Sequence, residues 1–417
     1  MKPELALFGG PKAVTIEPTD KWKRIGAEEI ALVVDMMERE ELSCAGTGVM
    51  GEFERDFAAY YNVKYALSQN NGTSTLHCAY FAAGVGPGDE VIMPSYTWGN
   101  MVRPVLFTNG IPVFCEIDPH TLTVDPEDIR KKITPRTKAI SVVHVWGNVA
   151  DMDAIMEIAA EHNLIIIEDC SHAHGAEYKG KKVGTIGHIG CFSLQGGKAV
   201  SAGEGGAIIT NDTELYERIL ICGHQGRVAR DRVTDKYAFL GYMGLGWKYR
   251  AHPLAMAIAK CQLAKLDKLN EYRKSSFAYL DDALAQIPGI EVPSVYPGVK
   301  RGGYFESRWI LHPEVVGISR DRFVEALQAE GVPCDVDRYD LEHLEPIYQY
   351  DFYGHGCPFH CPHVDQIRTY KKGDLPVTED VHSRLIAMRA YTDPADGLLD
   401  MFIEAFRKVA ANADQLA

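Results

Sequence analysis

The sequence of 417 residues contains no long apolar run, no block of basic residues and no regular cysteine spacing. A membrane-spanning helix needs about 20 consecutive apolar residues, and residues 1–14 do not resemble a signal peptide. The formal net charge is −14, which argues against nucleic acid or an anionic membrane as the partner. The ten cysteines are scattered, so we expect reduced thiols in a cytoplasmic protein.

One cluster of metal-ligand residue types lies in the segment GHGCPFHCPH, which contains His355, Cys357, His360, Cys361 and His363. Histidine and cysteine are zinc ligands, but the spacing matches no common zinc finger or ribbon. The alternative is an ordered loop, stiffened by its two prolines, near a substrate entrance. We therefore predict no metal for the functional site.

Strand and helix patterns alternate between about residues 63 and 210. The apolar runs EVIMP, KAISVVHV and LIIIED are typical of strands, and ADMDAIMEIAAEHN is typical of a helix. In DPEDIRKKI, Asp125 fits a helix N-cap and Pro126 the first helical position. The alternation predicts an α/β fold with a mostly parallel sheet and helices on both faces. In such sheets ligands bind at the carboxyl ends of the strands.

The pattern changes after about residue 265, where long helical stretches are mixed with short strand patterns. We predict a large α/β domain with an N-terminal arm over residues 1–265. A smaller α+β domain is predicted over residues 266–417. Since no flexible linker separates them, we expect the two domains to pack closely.

Lys198 lies in the segment GCFSLQGGKAVSAGEGG, which is rich in glycine. Glycine permits positive φ and close approach of the backbone to a ligand. A lysine that forms a Schiff base must first lose its proton, which burial or a nearby cation promotes. Taken alone, the segment fits a solvated surface lysine better than a functional one.

Asp169 and His172 follow the buried strand LIIIED in the segment IEDCSHAHG. A carboxylate held at that edge of the sheet suits the pyridine nitrogen of pyridoxal phosphate, which must stay protonated. The alternative for Asp169 is a helix cap or a structural ion pair.

Four further residues fit the same cofactor. Gly72 and Thr73 stand where a turn enters a helix, and the N–H groups there favour a phosphate, to which Ser193 offers a hydroxyl. Trp98 follows another strand end and could stack on a flat ring. Many helices begin with Gly-Thr and most tryptophans are packing residues, so each feature is weak alone.

Eight segments, in register from about residue 25 to the C-terminus, resemble the DegT/DnrJ/EryC1/StrS family of sugar aminotransferases. They are NNGTSTL, GPGDEVIMPSYTW, PVFCEIDPHTLTVDPEDI, TKAISVVHVWGNVADMDAI, LIIIEDCSHAHGA, GHIGCFSLQGGKAVSAGEGGAIIT, GWKYRAHPLAMAIAKCQL and GVPCDVDRYDLEHLEPIY. The resemblance implies fold type I, the fold of aspartate aminotransferase, and a homodimer with shared active sites.

The resemblance also implies the cofactor pyridoxal 5′-phosphate, bound by Lys198 as a Schiff base. Lys198 would then carry protons, Asp169 would pair with the ring nitrogen, and His172 would lie near the ring or its phenolic oxygen. The remaining cofactor contacts that it implies come from Gly72, Thr73, Trp98, Ser193 and Gln195.

One departure from the family pattern concerns Lys248. The family usually has asparagine in the motif GYNYR, where it reaches the cofactor phosphate of the neighbouring subunit, whereas this chain has GWKYR. Lys248 would contact that phosphate or an anionic group of the substrate. Where the family binds its sugar, this chain offers Arg338 and His343.

The resemblance is strongest to the branch that includes glutamine:scyllo-inosose and glutamine:2-deoxy-scyllo-inosose aminotransferases. It predicts a keto-cyclitol or keto-sugar as acceptor and glutamine or glutamate as donor. The alternatives are an aminotransferase of nucleotide keto-sugars and a relative of aminohydroxybenzoate synthase. Two further alternatives are a dehydratase and a non-catalytic sensor. In dehydratases of this family another residue commonly replaces the Schiff-base lysine. Lys198 argues against both.

Overall fold

The computed structural model describes residues 4–350 and 368–416. The predicted His/Cys cluster at 355–363 lies outside the described residues. Within them, no helix is both long enough and apolar enough to cross a bilayer.

The strands of the described residues are, in chain order, β1 Tyr65–Gln69, β2 Glu90–Pro94, β3 Ile111–Cys115, β4 Thr137–Val143, β5 Ile165–Asp169, β6 Glu177–Tyr178, β7 Lys181–Lys182, β8 Ile189–Ser193, β9 Gly206–Thr210, β10 Ile290–Glu291, β11 Val299–Lys300, β12 Glu306–Leu311, β13 Cys334–Val336 and β14 Leu385–Arg389.

The α-helices are α1 Ala27–Glu38, α2 Gly48–Tyr61, α3 Gly72–Ala83, α4 Arg103–Phe107, α5 Pro126–Lys132, α6 Met152–His162, α7 Thr213–Gly223, α8 Val228–Asp231, α9 Pro253–Ala264, α10 Leu266–Leu284, α11 Pro313–Val316, α12 Arg320–Ala329, α13 Pro376–Ser383 and α14 Leu398–Ala411.

A seven-stranded sheet with the order β1-β9-β8-β5-β4-β2-β3 forms the first unit. Strands β3, β2, β4, β5 and β8 are parallel, and β9 pairs antiparallel with both β8 and β1. The predicted α/β fold with a mostly parallel sheet is therefore confirmed. The register places Asp169 of β5 beside Val143 of β4 and Cys191 of β8, so the carboxyl ends of the central strands meet at one edge.

The central strands carry apolar side chains on both faces of the sheet, since helices cover both faces of a parallel sheet. Along β5, Ile167 belongs to one buried cluster with residues of α3 and α7, whereas Ile166 belongs to a second with residues of α2 and α6. The predicted N-cap of α5 is present as well, since the Asp125 side chain accepts a hydrogen bond from the N–H of Glu127. Helices therefore lie on both faces, as the alternation predicts.

The second unit is built on an antiparallel sheet with the order β10-β12-β14-β13. Helices α10, α12 and α14 pack with it around a core that also includes Leu5 and Val14. The Glu330 carboxylate accepts hydrogen bonds from the N–H groups of Ala6 and Ala13. The first residues of the chain thus lie against this unit, and the division at residue 265 stays a prediction.

A buried arginine connects the two units. Arg308, on β12, is 3 % exposed and donates to Asp337 at 2.7 Å. Its guanidinium carbon lies 3.5 Å from the ring centroid of Trp146, which belongs to the first unit. Tyr96 donates to the same Asp337 carboxylate and accepts from the indole N–H of Trp146. This network fixes the segments on either side of Arg308 against the carboxyl edge of the large sheet.

Candidate active site

A cavity of about 620 Å³ opens at the carboxyl ends of β4, β5 and β8, beside residues of the second unit. Its walls contain nine of the predicted site residues, namely Gly72, Thr73, Trp98, Asp169, His172, Ser193, Gln195, Lys198 and Arg338. Two predicted residues, Lys248 and His343, do not line it. The strand-end argument from the sequence therefore brings most of the candidate residues together.

Lys198 extends into the cavity from the glycine-rich turn that follows β8. Its ammonium nitrogen lies 3.7 Å from the ring centroid of Phe305. Burial, together with the Arg338 charge, lowers the pKa of the Lys198 amine to about 8, although the Asp169 charge opposes the shift. The amine is thus deprotonated far more readily than an ordinary lysine, which is the state a nucleophile requires.

Arg24 fixes the backbone of this turn. Its guanidinium donates to the carbonyl oxygens of Gly196, Gly197 and Lys198 at 2.5, 3.1 and 3.1 Å. No sequence motif marked this residue, because the contact joins positions more than 170 residues apart.

Asp169 ends β5 with its side chain at the bottom of the cavity. One carboxylate oxygen accepts from the N–H of Ser171 at 3.0 Å. Among the described residues, no lysine or arginine forms an ion pair with it, and burial raises the pKa of the carboxyl. A buried carboxylate without a cationic partner is unfavourable by itself, so this position suits a ligand that carries a positive charge.

The His172 ring packs against two aromatic rings, with centroid distances of 4.9 Å to Trp146 and 4.4 Å to Phe305. Burial holds the pKa of the imidazole well below its usual range, so the ring is neutral. The backbone N–H of Trp146 donates to Nδ1 at 3.3 Å. Nε2 must then carry the proton and donate to the Tyr339 hydroxyl, 3.2 Å away. The phenolic proton of Tyr339 is left to point elsewhere.

Gly72 and Ser193 form a narrow contact at the N-terminus of α3. The Asn71 side chain caps the helix by accepting from the N–H of Ser74. A Cβ added at Gly72 would lie 2.7 Å from Cβ of Ser193, which is too close for two carbon atoms. The first N–H groups of the helix, which have no partner within it, therefore lie directly beside a serine hydroxyl. This arrangement is suited to a phosphate group.

Trp98 lies on the open side of the cavity. Its side chain is 54 % exposed, and its ring centroid is 5.3 Å from that of Tyr339. A tryptophan that served only in packing would be buried, so the exposed indole face is available to a flat ligand.

His343 and Lys248, unlike the other predicted site residues, lie outside the cavity lining. The His343 ring is fully buried, with Nδ1 accepting from the Ser95 hydroxyl at 2.7 Å and Nε2 donating to Glu379 at 3.0 Å. Both nitrogens are thus occupied away from the cavity. Lys248 is exposed, and its backbone pairs with that of His224.

A model of the DegT/DnrJ/EryC1/StrS aminotransferase family matches residues 23–407. The chain belongs to this family. It is 37 % identical to the L-glutamine:2-deoxy-scyllo-inosose aminotransferase of Streptomyces kanamyceticus, over 71 % of this chain and 70 % of that protein. It is 35 % identical to the GDP-perosamine synthase of Caulobacter vibrioides, over 78 % of this chain and 85 % of that protein.

Solved structures of other proteins agree with the fold. The aminotransferase from Psychrobacter cryohalolentis superposes with a TM-score of 0.83 at 27 % identity, covering 95 % of this chain and all of that one. The resemblance read from the sequence is confirmed, as is fold type I. The protein is an aminotransferase.

Ten of the residues that line the cavity had no part in the sequence prediction, among them Asn100, Glu204, Phe305 and Tyr339. Tyr339 directly follows Arg338, so the neighbouring position was the available signal. Phe305 lies just before β12, and only the packing of the second unit brings its ring to Lys198 and His172.

Replacement of Gly72 by alanine is expected to weaken retention of a phosphate-bearing ligand about tenfold or more. The added methyl group would push the start of α3 away from Ser193, a cost of about 1–3 kcal/mol for overpacking. Equilibrium dialysis of pyridoxal phosphate against the variant measures the change. Gly86→Ala is the control, because its new Cβ would come no closer than 3.8 Å to its nearest neighbour. Equal retention in both variants would contradict this assignment.

The pKa of Lys198 predicts how its reactivity depends on pH. Only the neutral amine reacts with acetic anhydride, so labelling of Lys198 in the cofactor-free protein should rise through about pH 8. An ordinary lysine has a pKa of about 10.4. Because Asp169 raises the pKa of Lys198, Asp169→Asn should move the midpoint to lower pH. Peptide mass spectrometry measures both curves, and a wild-type midpoint above pH 10 would show that the amine is solvated.

Proposed function

We propose that this aminotransferase uses pyridoxal 5′-phosphate, bound covalently through Lys198, to place an amino group on a keto-cyclitol or keto-sugar. The observation that carries the proposal is that a readily deprotonated lysine lines the same cavity as Asp169, a buried carboxylate with no ion-pair partner among the described residues. Donor and acceptor exchange an amino group for a carbonyl oxygen. The donor becomes a 2-oxo acid and the ketone becomes an amine, without net redox change or net use of water.

The residues of the cavity fit each part of the cofactor. Asp169 would hold the proton on the ring nitrogen, and the resulting ion pair would relieve its desolvation. The start of α3 with Ser193 would hold the phosphate, and the exposed face of Trp98 would cover the ring. Gln195 lies beside the same phosphate position, since its N–H donates to the Ser193 hydroxyl.

When bound, the cofactor supplies an aldehyde that takes up the amino group and a conjugated ring that delocalises electrons from the adjacent carbon. The Lys198 amine would take the proton from the α-carbon of the donor and deliver it to the cofactor carbon. His172, held neutral with its Nδ1 accepting from the backbone of Trp146, would keep its ring fixed beside the cofactor. Both roles rest on groups whose charge state is set by burial.

The proposed substrates rest on the relatives. Glutamine as donor and a keto-cyclitol as acceptor are supported by the 37 % identity to the glutamine:2-deoxy-scyllo-inosose aminotransferase. A nucleotide keto-sugar is the second candidate, supported by the 35 % identity to GDP-perosamine synthase.

The function is tested with the purified holoenzyme on a panel of keto-cyclitols and nucleotide keto-sugars. Each acceptor is incubated with glutamine or glutamate, and the amine product is followed by mass. We expect product from a keto-cyclitol with glutamine, and a loss of at least about 10²–10⁴-fold in Lys198→Ala. Lys274→Ala, at an exposed lysine paired with Glu271, is the matched control. Undiminished turnover in Lys198→Ala would refute the mechanism.

We propose further that the active protein is a homodimer in which Lys248 contacts the cofactor phosphate of the other subunit. Large apolar side chains are exposed around Lys248, namely Phe239, Tyr242, Met243, Leu245 and Trp247. A patch of this kind is typical of a protein interface. Since Lys248 does not line the cavity of its own chain, its exposed ammonium group is free to serve a neighbouring one.

Mixing two inactive variants tests this sharing. One chain carries Lys198→Ala and the other Lys248→Ala, which alone should retain the cofactor poorly. A mixed dimer would contain one intact site, because wild-type Lys198 from one chain meets wild-type Lys248 from the other. We expect activity to appear on mixing, in a species of twice 46.2 kDa by native mass. If Lys248 acted within its own chain, mixing would restore nothing.

A further inference from the structure

Arg338 gives the cavity its permanent positive charge. The charged side chains that line the cavity are Asp169, Lys198, Glu204 and Arg338. The pKa of Lys198 is lowered to about 8, so this amine is partly neutral near pH 8. An arginine stays protonated at any ordinary pH and presents five N–H donors in a planar fork. An anionic group of a substrate would therefore meet its partner at Arg338.

Buried charges hold Arg338 in place. One guanidinium nitrogen donates to Glu306 at 2.8 Å, and the other Glu306 oxygen accepts from Arg308 at 2.9 Å. Arg308 in turn is paired with the buried Asp337. The charges alternate along this row of four side chains, and Arg338 is its outer member, with a side chain 53 % exposed. Glu306 thus orients the guanidinium without using all of its donors.

The ring of Phe305 lies next to both Arg338 and Lys198. The guanidinium carbon of Arg338 is 5.4 Å from the centroid of Phe305, and the Lys198 nitrogen is 3.7 Å from that centroid. A second ring, that of Tyr339, lies 5.3 Å from the guanidinium carbon. The anion site and the reacting amine therefore both lie against the Phe305 ring, and the Arg338 charge is near enough to lower the pKa of the Lys198 amine.

We propose that Arg338 binds the α-carboxylate of the amino donor and directs the donor's amino group towards Lys198. The inference rests on the proposed function, since it assigns a specificity residue to that reaction. An α-amino acid carries its carboxylate and its amino group on the same carbon. A fixed cation next to the reacting lysine matches that geometry.

The acceptor is a poorer match for this cation. A keto-cyclitol has hydroxyl groups and no charge, so it offers nothing that requires a guanidinium. The phosphates of a nucleotide keto-sugar are separated from the ketone by the sugar ring, whereas Arg338 and Lys198 lie on the same phenylalanine. The donor is thus the substrate whose charge lies where the arginine is.

The test compares glutamine with its α-carboxamide, which has the same shape and no carboxylate. The donor half-reaction is followed in the holoenzyme by the change in cofactor absorbance, and the acceptor half-reaction is followed separately. In the wild type we expect the carboxamide to react about 10- to 100-fold more slowly at low concentration than glutamine, the worth of a charge-assisted pair. In Arg338→Gln this preference should disappear, and Arg338→Lys should restore part of it.

Arg322→Gln is the matched control, since Arg322 is a surface arginine of the same unit that pairs with Glu325. It should keep the wild-type preference for the carboxylate. A preference unchanged in Arg338→Gln would overturn the inference, as would a loss confined to the acceptor half-reaction. If Arg338→Gln does not fold, the Arg338→Lys variant provides the test. A wild-type preference for glutamine over its carboxamide in that variant would contradict a contact through the two arms of the guanidinium. A wild type that accepts amino groups from neither donor would instead refute the proposed function.

Discussion

The buried Arg308 guanidinium is the contact on which the cavity depends. It pairs with Asp337 and lies over the Trp146 ring. Separation of the two units would therefore expose the Arg308 charge, and loss of Asp337 would leave that charge unpaired. Removing one partner of such a pair costs about 3–5 kcal/mol. Phe305 directly precedes β12, Glu306 is the first residue of β12, and Arg338 follows β13, so all three lie within a few residues of this network. Their positions over the sheet edge follow from it.

Burial keeps the His172 ring neutral, and the same network determines which of its two nitrogens carries the proton. Trp146 adopts a left-handed backbone conformation, with φ of 55°, which an L-residue reaches only at a cost. In that conformation its N–H points at Nδ1 of His172, while its indole N–H reaches Tyr96. Trp146 thus carries the backbone strain, fixes the tautomer of His172 and stacks on its ring. The imidazole is kept neutral and immobile, as a group beside a cofactor ring must be.

The sequence was sufficient for the residues at the strand ends. Asp169 and Ser193 end apolar strands, and parallel strands bring such positions together whatever the loops do. It was insufficient for Phe305 and Tyr339, because their place depends on how the second unit packs. His343 shows the converse: its residue type fits a substrate contact, but burial between Ser95 and Glu379 uses both nitrogens. The role proposed for Lys248 requires a second chain, which no strand pattern describes.

Arg24 gives the beginning of the chain an unexpected influence on its chemistry. Three carbonyl oxygens of the Lys198 turn depend on this one guanidinium, and the Arg24 carbonyl is itself held by Gln262. The conformation of the loop therefore depends on a docked segment from a distant part of the sequence. Removal of the Arg24 side chain would therefore take three hydrogen bonds from the backbone that carries the reactive amine, at a position far from the cavity in sequence.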